Sequence, residues 1–543
     1  MVGETKGGAM PRIAEWASAA VATLLVVSLH VAFWRHAGPL WRDEINSIQV
    51  AGTGSVGQMW HDLRYDSFPA LFFILVRLWL SAGWTSTDLG IRVFGLMVGL
   101  GLVAAVWVNA RQLRHSMPLA SLVLLAMNPW VVRSGDSIRG YGLGMLLLVL
   151  SMGLIWRVIE SPTPRRIVCA VSGAVLTVHV VYSAAFLLAA ICLAGMVVGL
   201  RRKAWSSVVA VAGIGATTAS SLVIYWQTVA EAQSWNVLLQ VPFSIHLYWE
   251  RLSKALAAPY EWVVYAWLAL FGATVAAGCL AQWSALAKQL TRRQKDIVWF
   301  CTLTEIGAVV GFVIFLRVIR FGTQPWYYLP LIAVVAVSAD GVLCTVVAGL
   351  PGRALRLGGV VLLTALIFPA SWQRMRMRQS NMDLVAAKLQ SLADGRDLIV
   401  VSPWFYAVAF QRYYGGSAPW TSVPPLADHR IHRYDLVKKE MSTANAISPV
   451  VDRMGETLSS GRRVWVVGDF RFAPAGMPPP EIPPAPDPEW GWSESRYTAA
   501  WLLQAGIFLQ QHATESAQVA IADAGPVNEY ENLPTILVVQ GWR

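Results

Sequence analysis

"LWRDEINSIQVAG", Leu40–Gly52, is a polar interruption near the start of a largely apolar chain, and it sets two adjacent carboxylates, Asp43 and Glu44, behind Trp41 and Arg42. Its reading depends on what precedes it. Ile13–Trp34 is apolar over the length, about 20 residues, that a helix needs to cross a hydrocarbon core. The run is too long for a signal-peptide core and no small-residue cleavage site follows it, so it is taken as a retained first span. Carboxylates at the edge of such a span are costly unless they face water or a cation. The gap is therefore both a topological marker and a candidate site.

Composition extends this reading to the rest of the chain. Of 543 residues, 55% are hydrophobic and 14% charged, with a mean hydropathy of +0.49. A soluble domain carries roughly 25% charged residues. Apolar runs near 89–110, 119–133, 141–157, 167–180, 183–200, 205–226, 262–283, 297–316, 327–348 and 355–372 predict, with the first, about eleven spans. The segment 69–83, "PALFFILVRLWLSAG", is shorter and holds Arg77; it reads as a juxtamembrane helix.

The basic clusters "RQLRH", "RVIESPTPRR", "RRKAW", "KQLTRRQK" and "GRALR" fall between alternate pairs of spans. By the positive-inside rule they mark, with the N-terminus, the cytoplasmic face. The loops holding Asp43–Glu44, "SGDSIRGY", "HVVYS" and "RVIRFGTQPWYY" then lie on the opposite face, as does everything after Trp372. The net positive charge of +11 is gathered largely in the basic clusters of the cytoplasmic face, so no nucleic-acid partner is indicated. All five cysteines sit in apolar runs, which points to no disulfide framework and no thiolate metal site.

Two domains are expected: a transmembrane part over 1–372, with a first outer loop at about 35–88, and a soluble α/β part over 373–543. In the latter, "RDLIVVS", "RRVWVVGD" and "PTILVVQGWR" have strand character and "NMDLVAAKLQSLADG" and "TAAWLLQAGIFLQQHA" helical character. "MPPPEIPPAPDPEW" reads as an ordered or semi-rigid loop. "SPWFYAVAFQRYYGG" reads as a strand-to-helix turn.

The chemistry gathers on the outer face. Asp43 and Glu44 suit a base and its helper, and equally the cap and first turn of a helix "EINSIQVA". Asp66, in "DSFPALFF", suits a helix cap better than an acceptor contact. Arg92 opens a span where it faces the headgroup layer, with snorkelling as its ordinary explanation. "RSGDSIRGYGLGM" holds Arg133, Asp136, Arg139 and Tyr141. Two arginines in an outer loop run against the positive-inside trend, and a bidentate phosphate contact gives them a reason. Anionic headgroups give them another. His179, Tyr182, Arg320 and Tyr327 are further donor or acceptor contacts, although a helix-end histidine and the Trp326–Tyr328 run have structural and interfacial-belt readings.

The order of these elements is familiar: a first span, an outer loop with Asp-Glu, a "PALFF" juxtamembrane helix, an arginine before a glycine-rich span, then "NPWVVRS…RGY". It resembles the GT-C superfamily of membrane glycosyltransferases, nearest to the protein O-mannosyltransferase and lipid A aminoarabinose transferase group (glycosyltransferase family 39-like). The resemblance covers residues 13–200 well, the later spans loosely, and the C-terminal domain not at all. It implies a polytopic α-helical membrane fold that uses a polyprenyl-phosphate sugar donor at the outer, periplasmic face of an inner membrane. The acceptor would be a glycan, lipid or protein. Asp43 matches the acidic position that the family uses as catalytic base or acceptor-orienting group, Glu44 its neighbour, and Arg92, Arg139 and Tyr141 the basic and second-loop positions, so that Arg92, Arg139, Tyr141 and Arg133 are expected to bind the donor phosphate. The family's "HPPL" is replaced by "SFPAL", so its histidine is missing. Asp136 stands without a second acid, which speaks against an obligatory divalent cation, and no cofactor is otherwise implied.

A transporter or flippase for a lipid-linked or polar solute is the alternative. Transporters place ionisable groups at mid-membrane, and Glu305 is the main candidate of that kind. A membrane-anchored assembly protein is a third reading, which leaves the acid and arginine clusters unexplained.

Overall fold

Long apolar helices dominate because lipid offers no partner for backbone N–H and C=O groups, so each spanning segment must satisfy its own. The computed structural model describes residues 9–83, 85–114, 117–283, 289–347, 349–474, 476–523 and 525–543. The polar start of the chain, and the parts of two basic clusters at His115 and Lys288, lie outside these residues. Among the described residues, nine helices are long and apolar enough to cross a membrane. By contact, the chain separates into two compact units: one holds the residues up to His36 with Phe68–Trp226 and Val241–Arg376, the other Ala37–Ser67, Gln227–Gln240 and Met377–Arg543.

The first unit is helical and includes the long helices Ala9–His36, Asp88–Arg114, Gly140–Glu160, Arg292–Ile319 and Leu350–Met375. Two expected spans differ from the rest. The run at 119–133 is no single helix: a π-helical turn, Ser121–Leu125, ends before Asn128, and a new helix, Pro129–Asp136, starts there. Asn128 and Pro129 cause the break, the side-chain oxygen of Asn128 accepting the Trp130 N–H at 2.8 Å while proline suits a first helical turn. Irregular backbone at membrane depth must be satisfied by protein. Here the Asp340 carboxylate accepts the N–H groups of Ala120 and Ser121, each at 2.9 Å, and Ser371 Oγ donates to Met127 O at 2.8 Å. The second case is Pro164–Val178, a helix of 15 residues, opened by its proline and short for a crossing. The segment after Pro69 is the 11-residue helix Ala70–Leu80, as its length and Arg77 indicated.

The second unit is built on a five-stranded sheet. Its strands are β1 (Leu398–Ser402), β2 (Trp420–Ser422), β3 (Val464–Gly468), β4 (Glu515–Ala520) and β5 (Thr535–Gln540), in the order β2-β1-β3-β5-β4. β2 and β3 run parallel to β1, whereas β5 is antiparallel to β3 and β4. β1 is buried along its whole length, which its unbroken LIVVS run requires. Helices Ser448–Ser459 and Glu494–His512 bury Val450, Met454, Leu458, Trp501 and Leu509 with Leu398, Val400, Val464 and Val466. The Pro-rich loop is held by Tyr497, whose hydroxyl donates to Pro483 O at 2.9 Å, and by Gln504 at 2.7 Å from Pro480 O.

Candidate functional site

In the second unit, the acid pair opens helix Arg42–Ala51. Asp43 is not the cap. The helix begins two residues earlier than expected, Trp41 is its N-cap residue, and buried Glu44, at the third helical position, reaches back so that Oε2 accepts the Trp41 N–H at 3.3 Å. Asp43 stays partly exposed, 3.7 Å from Arg42 Nε. Both acids lie in the first turn, where the helix dipole favours negative charge. One turn on, buried Asn46 donates through Nδ2 to Asp66 Oδ2 at 2.6 Å and accepts the His432 N–H at 2.8 Å.

Asp66 does not cap Ala70–Leu80, where Pro69 holds that place; it closes the preceding 3₁₀ turn Leu63–Tyr65, its N–H donating to Leu63 O. The other oxygen of Asp66 accepts the Ser67 N–H at 2.6 Å. The N-terminal end of the acid helix is bound to the C-terminal part of the chain. Leu40 N–H donates to the Tyr413 hydroxyl at 2.8 Å, and Arg42 N–H to Glu531 Oε2 at 3.1 Å. Arg42 Nη1 donates to Tyr530 O at 3.2 Å, and the guanidinium lies 4.5 Å from the Phe405 ring centre.

In the first unit the second-loop residues converge. Arg139, the N-cap residue of helix Gly140–Glu160, stands 4.6 Å over the Phe68 ring. Phe68 packs edge-on against buried Tyr141 at 4.8 Å, and Tyr141 lies 5.8 Å from Tyr327. Trp326, beside Tyr327, is 5.9 Å from Trp130, over which Arg133 sits at 5.4 Å. Arg139, Tyr141 and Tyr327 thus share one aromatic cluster and Arg133 sits in a second, the two neighbouring in sequence at Trp326 and Tyr327, and both arginines are half-buried.

Arg92 is elsewhere in this unit. Rather than facing headgroups it is 2% exposed, lies 5.7 Å from the Phe33 ring centre, and interacts electrostatically with buried Asp136. His30 Nδ1 is 2.8 Å from both oxygens of that carboxylate. The glycine-rich span leaves room for this group: a Cβ at Gly95 would collide with the Asp136 carbonyl, and one at Gly99 with the Asp136 carboxylate and the His30 ring.

His179 is engaged on both ring nitrogens, by the Tyr225 hydroxyl at 2.8 Å and Ser221 Oγ at 3.1 Å, and Tyr182 packs edge-on against Tyr225. Arg320 is exposed and ends helix Arg292–Ile319 with a positive φ of 48°, its carbonyl accepting the Val241 N–H. Among the described residues, no three His, Cys, Asp or Glu side chains gather to hold a metal ion. Sequence reading missed His30, Asn46 and Glu531. His30 carried a signal, an ionisable residue inside an apolar run; Asn46 and Glu531 carried none, because their partners lie far along the chain.

No protein-family model matches the sequence, and no curated protein matches it. Solved structures do. The apo oligosaccharyltransferase of Archaeoglobus fulgidus matches over 84% of this chain and 69% of its own, with TM-score 0.50 and 10% identity. ArnT of Cupriavidus metallidurans bound to undecaprenyl phosphate matches over 95% and 97%, with TM-score 0.49 and 11% identity. The arabinosyltransferase EmbB of Mycobacterium smegmatis matches over 60% of this chain and 30% of its own, with TM-score 0.37 and 12% identity. At these identities the likeness speaks to the fold alone, which this chain shares with the Archaeoglobus fulgidus oligosaccharyltransferase.

Proposed function

We propose that this protein is an integral-membrane glycosyltransferase that moves a sugar from a polyprenyl-phosphate carrier to an acceptor hydroxyl at the outer face of the membrane. The observation that carries the reading is the fold shared with the Archaeoglobus fulgidus oligosaccharyltransferase. The acid pair on the first loop and the guanidinium groups of the second support it.

An acceptor hydroxyl is a poor nucleophile at neutral pH, so a carboxylate within hydrogen-bond reach takes its proton as the new C–O bond forms. Asp43, partly exposed in a helix first turn, is assigned that role, with Glu44 stabilising the turn that presents it. The leaving group is a lipid phosphate that gains negative charge as the glycosidic bond breaks. Guanidinium groups fixed toward that charge stabilise the transition state more than the ground state. Arg139 and Arg133, each half-buried against an aromatic ring, are assigned to it; Arg92 supports the second loop from inside the bundle through Asp136. A single displacement of this kind inverts the anomeric centre.

The transporter alternative rests on Glu305, which is buried within a span and paired with Thr274 Oγ1 at 2.8 Å. A single acid satisfied by a neighbouring helix serves equally well as interhelical glue. Membranes carrying wild type, Asp43→Asn or Arg139→Ala are incubated with labelled polyprenyl-phosphate sugars and an acceptor extract. Transfer by wild type, about 10²–10⁴-fold less by Asp43→Asn, and weakened donor use by Arg139→Ala at unchanged thermal stability are expected. Undiminished transfer by Asp43→Asn removes the mechanism, and no transfer by wild type with any donor puts the transporter ahead.

A further inference from the structure

The first N–H groups of a helix have no partner within it. In helix Arg42–Ala51 the N–H of Arg42, the residue before Asp43, is taken by a carboxylate from nearly 500 residues away: it donates to Glu531 Oε2 at 3.1 Å, across a sequence separation of 489. Glu531 is fully buried in the 3₁₀ turn Glu529–Glu531, and its Oε1 accepts the Ser380 hydroxyl at 2.8 Å. The same turn holds the Arg42 side chain through Tyr530 O. Asn528 fixes the turn in place, donating to Gln379 Oε1 at 3.1 Å, while the Gln379 N–H donates to Ala37 O at 2.7 Å. The charged and titratable groups facing Glu531 are Arg42 and Asp43 on the acid helix and Tyr406 on helix Tyr406–Tyr413. A buried carboxylate is kept at a cost unless it has work to do. Here it holds the backbone N–H of the residue preceding the assigned base, while the neighbouring Tyr530 carbonyl holds that residue's side chain.

We infer that Glu531 is a positioning residue for Asp43: by binding the Arg42 N–H it seats the first turn of helix Arg42–Ala51 and so sets the direction of the Asp43 carboxylate. This rests on the reading of Asp43 as base. The C-terminal part of the chain thereby becomes a component of the catalytic apparatus.

The test compares Glu531→Ala, Glu531→Gln and Asp43→Asn in the full-length protein, with Asp397→Asn as a control that loosens the sheet at Trp465 and Arg463. Glu531→Ala is expected to lower kcat by about 10–100-fold, the scale set by a small misplacement of a reacting group, with donor KM unchanged. Glu531→Gln, whose amide oxygen still accepts the Arg42 N–H, restores most of that loss. In parallel, amide exchange over Trp41–Ser47 rises in Glu531→Ala and returns toward wild type in Glu531→Gln. Unchanged exchange over Trp41–Ser47 in Glu531→Ala overturns the inference. So does an equal loss of kcat in Asp397→Asn at matched stability. Full activity in Asp43→Asn, by contrast, sinks the base assignment and leaves the exchange result to decide the seating.

Discussion

His429 and Glu531 titrate in opposite senses, and their effects on stability oppose each other over one pH range. The His429 ring is packed 4.7 Å from the Trp420 ring centre with Nε2 2.8 Å from Ser422 Oγ, and burial lowers its pKa to about 4. Its folded value lies below the unfolded one, so its contribution is present above about pH 6.5 and is lost as pH falls through about 4. Burial raises Glu531 to about 7 against the pull of Arg42. Its contribution is present below about pH 4.5 and is lost as pH rises through the folded value. Between those limits the two slopes offset one another. His429→Gln is expected to leave strands β1–β3 less protected in amide exchange as pH rises from 5 to 7, after correction for the intrinsic rate. Glu531→Gln should give the reverse trend. The same slope in both variants would show that neither group governs the second unit's pH response.

At the scale of elements, the broken segment before Pro129 depends on Asp340, whose two oxygens hold the N–H groups of Ala120 and Ser121. Asp340→Leu leaves one buried and one part-buried donor without acceptors, the buried one at about 1–3 kcal/mol. Thermal denaturation in detergent should therefore show a large loss for Asp340→Leu and a smaller one for Asp340→Asn, which keeps an acceptor oxygen. Equal stability of Asp340→Leu and wild type would mean that the turn is held by packing alone. This segment also marks where sequence reading stopped. Leu119–Val132 is apolar nearly throughout, so periodicity cannot separate one long helix from two pieces; only Asn128–Pro129 announces the break. β1, β3 and β5 were legible as β-branched runs between polar turns. β2 is three residues long and β4, "ESAQVA", is almost wholly exposed, so neither carries that pattern. The acid pair was legible because carboxylates beside a span are rare. Glu44's part in the capping box depended on where the helix starts, and its start at Arg42 is set by partners at 413 and 530–531 that no local pattern names.

For the molecule as a whole, the basic clusters alternate in step only if the chain crosses eleven times, whereas nine helices among the described residues have the length for it. For eleven crossings, the broken segment before Gly140 and the 15-residue helix Pro164–Val178 are the two that would supply the rest. Each can be tested by itself, since removing one crossing inverts everything downstream of it. Single cysteines at Ser55, Thr163, Arg201 and Ser516, all exposed, in a chain with its five native cysteines replaced, are probed with an impermeant maleimide from either face. With both crossings made, Thr163→Cys and Arg201→Cys react only from the cytoplasmic side and Ser55→Cys and Ser516→Cys only from the other. If the broken segment turns back, Thr163→Cys reacts from the same side as Ser55→Cys. If Pro164–Val178 turns back, Arg201→Cys and Thr163→Cys react from opposite sides. Either outcome would break the charge alternation on which the placement of Asp43 and Arg139 at one face depends.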